Sequence, residues 1–263
     1  CSLALLASAC TFADAEGDPW GQVIFEDPSV QLDASERLAD SGRLRVGNGF
    51  ELELESLQLD LTSLRLELAP EGAGIAEFDP ANPPPNYSLC HNGHCHHDDG
   101  RLVDYEDIAI ELASASGVAG AVAHIIDQTA TLEDTSSVDI ALDAKDCPDD
   151  CTLPRGQMTR VVLTLGEVRV TGRVFDARGE NRLPLDGAPV DITLPGPLEF
   201  STLAEGSIDK QNSGTYRTTP SLTFSGAIFD GMAWSIPSTW ESTLGENLRE
   251  EALFQAPLLL EGE

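Results

Sequence analysis

The most regular stretch of the chain is Phe50–Leu68, where apolar residues fall at 50, 52, 54, then at 57, 59, 61, then at 64, 66, 68. Residues two apart lie about 200° apart around a helix axis, so a helix cannot gather them on one face; a strand, with its period of two, does. The alternation slips phase at Glu55-Ser56 and again at Thr62-Ser63. An extra residue at each slip, in a bulge or tight turn, keeps every leucine on the core side and the charged residues in water. A bent strand crossing between two sheets has this pattern. A leucine-rich solenoid would need more copies and an asparagine ladder.

The rest of the chain also reads as strands. Gln22–Phe25 is stopped by Asp27-Pro28 and continued by Val30–Leu32. Asn48-Gly49, between Arg43–Val46 and Phe50–Leu54, predicts a tight hairpin because both turn residues tolerate positive φ. Further strands are expected at Val138–Leu142, Arg160–Leu165, Glu167–Phe175 after a break at Gly166, Val190–Leu194 and Leu222–Phe224. Thr171-Gly172-Arg173-Val174-Phe175-Asp176 and Ser225-Gly226-Ala227-Ile228-Phe229-Asp230 share a pattern and suggest equivalent strands. A helix capped by Asp104 is expected over Val103–Ala113, and a terminal helix within Leu244–Leu260, ending at Pro257; Val118–Gln128 fits a helix or a buried strand. Between Ala69 and Ser88, Pro80, Pro83, Pro84 and Pro85 predict a stiff extended arm.

These elements predict a mainly β protein: an antiparallel β-sandwich with one or two short helices and a long Pro/Cys/His-rich insertion. The expected organisation is one domain over 20–263 with the insertion at 69–130; two domains divided near residue 130 is the alternative. With 263 residues, 41% of them apolar, the chain can build a real core.

Charge narrows the partners. Acidic residues number 45 against 15 basic ones, and all of the latter but Lys145 and Lys210 are arginine. Such a surface repels phosphate backbones and anionic lipid, so no nucleic acid and no polybasic-type membrane contact is expected. No apolar run approaches the roughly 20 residues of a membrane span.

The chemistry concentrates in Cys90-His91-Asn92-Gly93-His94-Cys95-His96-His97-Asp98-Asp99, which holds four of the five histidines and two of the six cysteines. Imidazole suits copper and zinc alike, and thiolate favours Cu(I). If the segment is extended, His94 and His96 point to one side. His91 or His97, with Asp98 or Asp99, can complete a site, and His124 is the one remaining imidazole. No G-x-S-x-G, H-E-x-x-H or P-loop occurs and no carboxylate pair stands out, so the expectation is a binding protein and not an enzyme.

Three resemblances add to this. Ala7-Ser8-Ala9-Cys10, after an apolar start, resembles the lipobox of bacterial lipoproteins. That resemblance implies a signal-peptide remnant at 1–9, lipid on Cys10 as the only membrane attachment, and a tether at 10–19; ordinary A-x-A cleavage at the same bond is the other route. Either exports the chain, as a periplasmic, outer-membrane-anchored or cell-surface protein of a bacterium. In an oxidising compartment Cys90, Cys95, Cys147 and Cys151 are disulfide candidates, closing locally or cross-linking the two pairs. Cys90-(four residues)-Cys95-His96 resembles the lengthened c-type haem attachment motif, which implies haem c on Cys90 and Cys95 with His96 axial and His124, Met158 or another histidine of the cluster distal. Export, four cysteines and a β-rich body also resemble exported copper-binding proteins that work beside dihaem partners, implying a redox or metal-transfer protein partner. The remaining alternative is a disulfide-stapled interaction module.

Overall fold

The structure is a computed structural model that describes residues 21–69, 80–91, 93–98, 101–105, 108, 120–133, 136–142, 151–153, 156–208 and 213–261. The expected signal remnant, the tether, Cys10 and Cys147 lie outside the described residues. Strands are numbered in chain order. β1 (Gly21–Phe25), β2 (Ser29–Asp33), β3 (Leu44–Arg45) and β4 (Phe50–Ala69) come first. β5 (Tyr87–His91), β6 (His94–His97) and β7 (Leu102–Asp104) precede β8 (Gly120–Leu132), β9 (Ser137–Asp139) and β10 (Thr152–Leu153). β11 (Gly156–Asp176), β12 (Ala188–Leu194), β13 (Leu198–Leu203) and β14 (Ser207–Ile208) follow. The chain closes with β15 (Thr215–Thr218), β16 (Ser221–Ser225), helix α1 (Trp240–Glu250), β17 (Ala252–Gln255) and β18 (Leu258–Leu260).

The protein is mainly β, as its alternation predicts. The first layer is a seven-stranded sheet built on β4 and β11, which pair antiparallel from Gln157↔Ala69 to Asp176↔Phe50. Each phase slip in β4 is a bulge. Leu54 and Ser56 face Gly172 and Thr171, leaving Glu55 over; Leu61 and Ser63 face Leu165 and Thr164, leaving Thr62 over. Because each bulge absorbs one residue, Leu52, Leu54, Leu57, Leu59, Leu61, Leu64, Leu66 and Leu68 are all buried. The two strands expected either side of Gly166 are one strand, in which Gly166-Glu167 faces the single Asp60. A side chain at Gly172 would meet the Glu53 carbonyl at 2.4 Å, so the close approach beside the first bulge requires glycine.

The second layer appears as two four-stranded sheets, β10-β1-β15-β18 and β9-β2-β16-β17. Their strand orders match, because each pair of successive strands runs from one sheet into the other. Three of the four crossings carry a proline at the break: Pro28 between β1 and β2, Pro220 between β15 and β16, and Pro257 between β17 and β18. Proline cannot donate to the ladder, so a row of them divides one layer into two halves. The central pairs β1–β15 and β2–β16 run parallel, so this layer is mixed where an antiparallel one was expected. The inner faces of both layers share one continuous apolar core. Strands from either side of residue 130 enter it, since β8 and β11 both pair with β4.

Several expectations are corrected. Residues 120–132 form strand β8 within the main sheet, so of the helix and the buried strand expected over Val118–Gln128 it is the strand that forms. Ser225-Gly226-Ala227-Ile228-Phe229-Asp230 is not a counterpart of the end of β11: the Ser225 hydroxyl accepts from the Ala227 N–H and caps a 3-10 turn over Gly226–Phe229. The terminal helix ends at Glu250, and Ala252–Gln255 and Leu258–Leu260 are strands; Trp240, Leu244 and Leu248 form the buried helix face. Leu102–Asp104 is strand, whereas Tyr105 and Ile108, within the helix expected over Val103–Ala113, are helical, and the rest of that helix lies outside the described residues.

The hairpin turn at Asn48-Gly49 is held from outside. Asn48 and Gly49 take φ of 50° and 76°, as does Gly47 at 78°. Arg182 donates to the Asn48 carbonyl at 2.9 Å and the Gly49 carbonyl at 3.2 Å, and lies over the Phe50 ring. Asp176 anchors that arginine, and the Arg182 side-chain hydrogen bonds hold its carboxyl well below the usual carboxylate range. With the folded-state value depressed, this pair contributes stability that is full above the unfolded value near 4 and is lost as pH falls through the folded value. Asp176→Asn should therefore lower stability at neutral pH and flatten its fall below about pH 4, measured by chemical denaturation across an acid series.

Candidate metal centre

The Cys/His segment forms a small three-stranded sheet of its own, β5-β6-β7. Its entry is a turn and not the stiff extended arm expected: the Tyr87 N–H donates to the Pro84 carbonyl at 3.1 Å, with Asn86 at φ 74°. Proline followed by a positive-φ asparagine is what a type II turn needs. The part of the expected arm over 70–79 lies outside the described residues. His91 pairs directly with His94, so only Asn92-Gly93 connects β5 to β6, and Gly93 takes φ 94°. That dipeptide is as strong a hairpin signal as Asn48-Gly49, yet the histidines around it draw the eye to composition instead.

A single bulge decides which side chains meet. Tyr87 faces His97 and Ser88 faces His96, but the next pair is His91 with His94, so β5 carries one residue more than β6. Leu89 takes φ 45°, unusual for a leucine, and is 73% exposed. Past the bulge, Cys90 stands opposite Cys95, and the two form a disulfide across the strands. His91 stands on the other face, beside His94 and His96.

The two faces are chemically distinct. On one, the fully buried Cys95 packs with Val103 and Ile108, flanked by Tyr87, Cys90 and Tyr105. On the other, donor nitrogens of His91, His94 and His96 all lie within 4.8 Å of one another. Their ring centroids are 4.8, 5.5 and 6.0 Å apart. Nitrogens bound to one tetrahedral zinc sit about 3.3 Å apart, so small side-chain rotations close the site. Among the described residues the donors are three imidazoles without a carboxylate, a set that suits zinc or copper better than calcium or magnesium. Three protein donors also leave a fourth position for water or for a donor from another molecule.

The remaining candidates fall elsewhere. His97 has the opposite parity to His94 and His96 and packs its ring edge-on against Tyr87 at 5.0 Å. Asp98 follows β6 as an exposed residue whose N–H donates to the Asn86 carbonyl at 2.8 Å, and Asp99 lies outside the described residues. His124 is buried in β8 opposite Leu64, its Nδ1 3.1 Å from the Ile125 carbonyl and its ring edge-on to Phe25. Met158 is fully buried in β11, opposite Leu68. Thus His97, Asp98 and His124 do not join the cluster that brings His91, His94 and His96 together among the described residues.

Cys90 and Cys95 close locally, so the alternative that cross-links them with the second cysteine pair does not form; Cys151 is also disulfide-bonded. The two sulfurs of the stretch that resembles the lengthened haem motif, Cys90 and Cys95, are the ones that form this disulfide. Comparison with protein-family models, with curated proteins and with solved structures finds no match.

His97 thus serves the hairpin and not the donor set. His97→Ala should leave metal stoichiometry unchanged, while speeding amide exchange across β5 and β6 by about fivefold, as loss of an aromatic contact worth roughly 1 kcal/mol implies.

Proposed function

We propose that this chain is an exported, non-catalytic metal-binding protein that holds one copper or zinc ion through His91, His94 and His96. The observation that carries the reading is the convergence of three imidazole donors within 4.8 Å on one face of a disulfide-closed hairpin. Neutral imidazole is the strongest nitrogen ligand a protein offers either metal, and the adjacent sulfurs are oxidised, as an oxidising compartment leaves them. The cluster is accessible: His91 is exposed, His94 and His96 are half-buried, and exposed Leu89 and Leu102 border them. An accessible ion with an open coordination position suits a redox or metal-transfer protein partner, whose own donor can enter the site.

Isothermal titration of the disulfide-intact protein should give one equivalent of Zn(II) or Cu(II), and His94→Ala/His96→Ala should abolish uptake. Affinity should fall on acidification, because protons compete with the ion for the imidazole nitrogens. Equal uptake by wild type and the double variant, or uptake by neither at micromolar metal, would make the segment a stapled surface hairpin and the protein an interaction module.

Lipidation at Cys10 is part of the same reading. It would supply a membrane attachment; no helix of the described residues is long and apolar enough to cross a membrane. Cys10→Ser should accumulate unprocessed precursor in a bacterial host; normal cleavage without lipid, seen by intact mass, would place the protein free in the periplasm.

A further inference from the structure

Three observations on the hairpin concern the register of β5 and not merely its residue types. Leu89 is held at φ 45° and 73% exposed in the bulge, the Cys90–Cys95 bond lies immediately after it, and Gly93 already takes a positive φ in the connection. The ladder before the bulge, Tyr87↔His97 and Ser88↔His96, can continue in a second way. Without the bulge, Leu89 would face Cys95, Cys90 would face His94, and His91-Asn92-Gly93 would form the connection. Three-residue hairpin loops that end on a left-handed glycine are a favoured class, so Gly93 suits the second register as well as the first.

The second register relieves what the first leaves unfavourable. Leu89 would return to negative φ and point to the face where Cys95, Val103 and Ile108 form a small apolar core. The disulfide forbids this, because it requires Cys90 opposite Cys95. A shift by one residue also reverses the facing of every β5 side chain beyond Ser88. Cys90 would leave the apolar face for the side of His94 and His96, and His91 would leave the strand.

We propose that the Cys90–Cys95 disulfide is a redox switch that changes the ligand set of the metal centre. Resting on the metal-binding reading above, it assigns His91, His94 and His96 to the oxidised protein and Cys90, His94 and His96 to the reduced one. Opening proceeds by thiol–disulfide exchange with an external thiol or dithiol donor. A donor thiolate attacks the half-buried Cys90 Sγ and Cys95 leaves as a thiolate, which takes up a proton. A second donor thiolate then attacks the donor sulfur of the mixed disulfide and Cys90 leaves as a thiolate, so two electrons and one proton have entered the protein, Cys90 stays a thiolate for the metal, and the donor has become a disulfide. Replacing an imidazole by a thiolate softens the site and shifts its preference toward Cu(I).

The test uses Co(II), a spectroscopic stand-in for zinc, on the full chain. In the oxidised wild type, His91→Ala should weaken Co(II) binding at least about tenfold, with no thiolate-to-cobalt charge-transfer absorption. In Cys95→Ala, which leaves the Cys90 thiol free, that absorption should appear, should vanish in Cys90→Ser/Cys95→Ala, and His91→Ala should no longer matter. Independently of metal, the Cα proton of residue 95 should show a close contact to Cys90 in the wild type and to Leu89 in Cys95→Ala, as non-hydrogen-bonded partners do. Leu89→Gly, which removes both penalties of the bulge, should restore the dependence on His91 in the Cys95→Ala background. Absence of the thiolate band in Cys95→Ala, or an equal cost of His91→Ala in both backgrounds, overturns the switch while leaving the metal site standing. An oxidised wild type that takes up no Co(II) overturns both.

Discussion

The pairing of β4 with β11 is the constraint on which the rest of the architecture depends. Two strands of about twenty residues can stay in contact along their length only if their irregularities are complementary. Glu55 and Thr62 bulge from one strand, and Thr159 and the Gly166-Glu167 pair from the other. Each irregularity restores the facing of the leucines on the inner side, which at roughly 1.5–3 kcal/mol per buried leucine supply a large share of the core. The rest of the two layers is attached to this ribbon: β3 and β8 along one edge, β12, β13 and β14 along the other, and the second layer across its leucines.

Much of this is legible in the sequence because a bulge leaves a mark. An extra residue breaks the period of two at a definite point, and the breaks at Glu55-Ser56 and Thr62-Ser63 are where the ladder shifts. Legibility ends where the deciding interaction is with a distant partner. Gly166 reads as a strand break, but Leu61 and Leu59 on the neighbouring strand hold the chain straight through it. The Ser225–Asp230 segment matches the end of β11 in residue type, yet its serine is placed to cap a turn. The prolines at 28, 220 and 257 are visible singly; only the pairing shows that they line up.

The candidate site divides in the same way. Its residue types are plain in the sequence. Which imidazoles converge depends on parity, and parity here hangs on one leucine with an unusual backbone angle. Composition placed His97 and His124 with the rest, whereas one faces Tyr87 across the hairpin and the other faces Phe25 from the large sheet. Reading Asn92-Gly93 as a hairpin turn would have set His91 opposite His94 from the sequence alone.

The row of prolines has a mechanical consequence. A pull on the chain ahead of Gly21 acts along β1, whose hydrogen bonds to β10 and β15 run across the line of force. They are loaded in shear, together, and do not open one at a time from an end. The ladder is interrupted at Pro28, between the Glu26 N–H, which donates to the Thr218 carbonyl, and the Ser29 N–H, which donates to the Pro220 carbonyl. Load therefore passes from β1 to β2 through the covalent chain at Pro28 as well as through the bond from Ser29 to the Pro220 carbonyl.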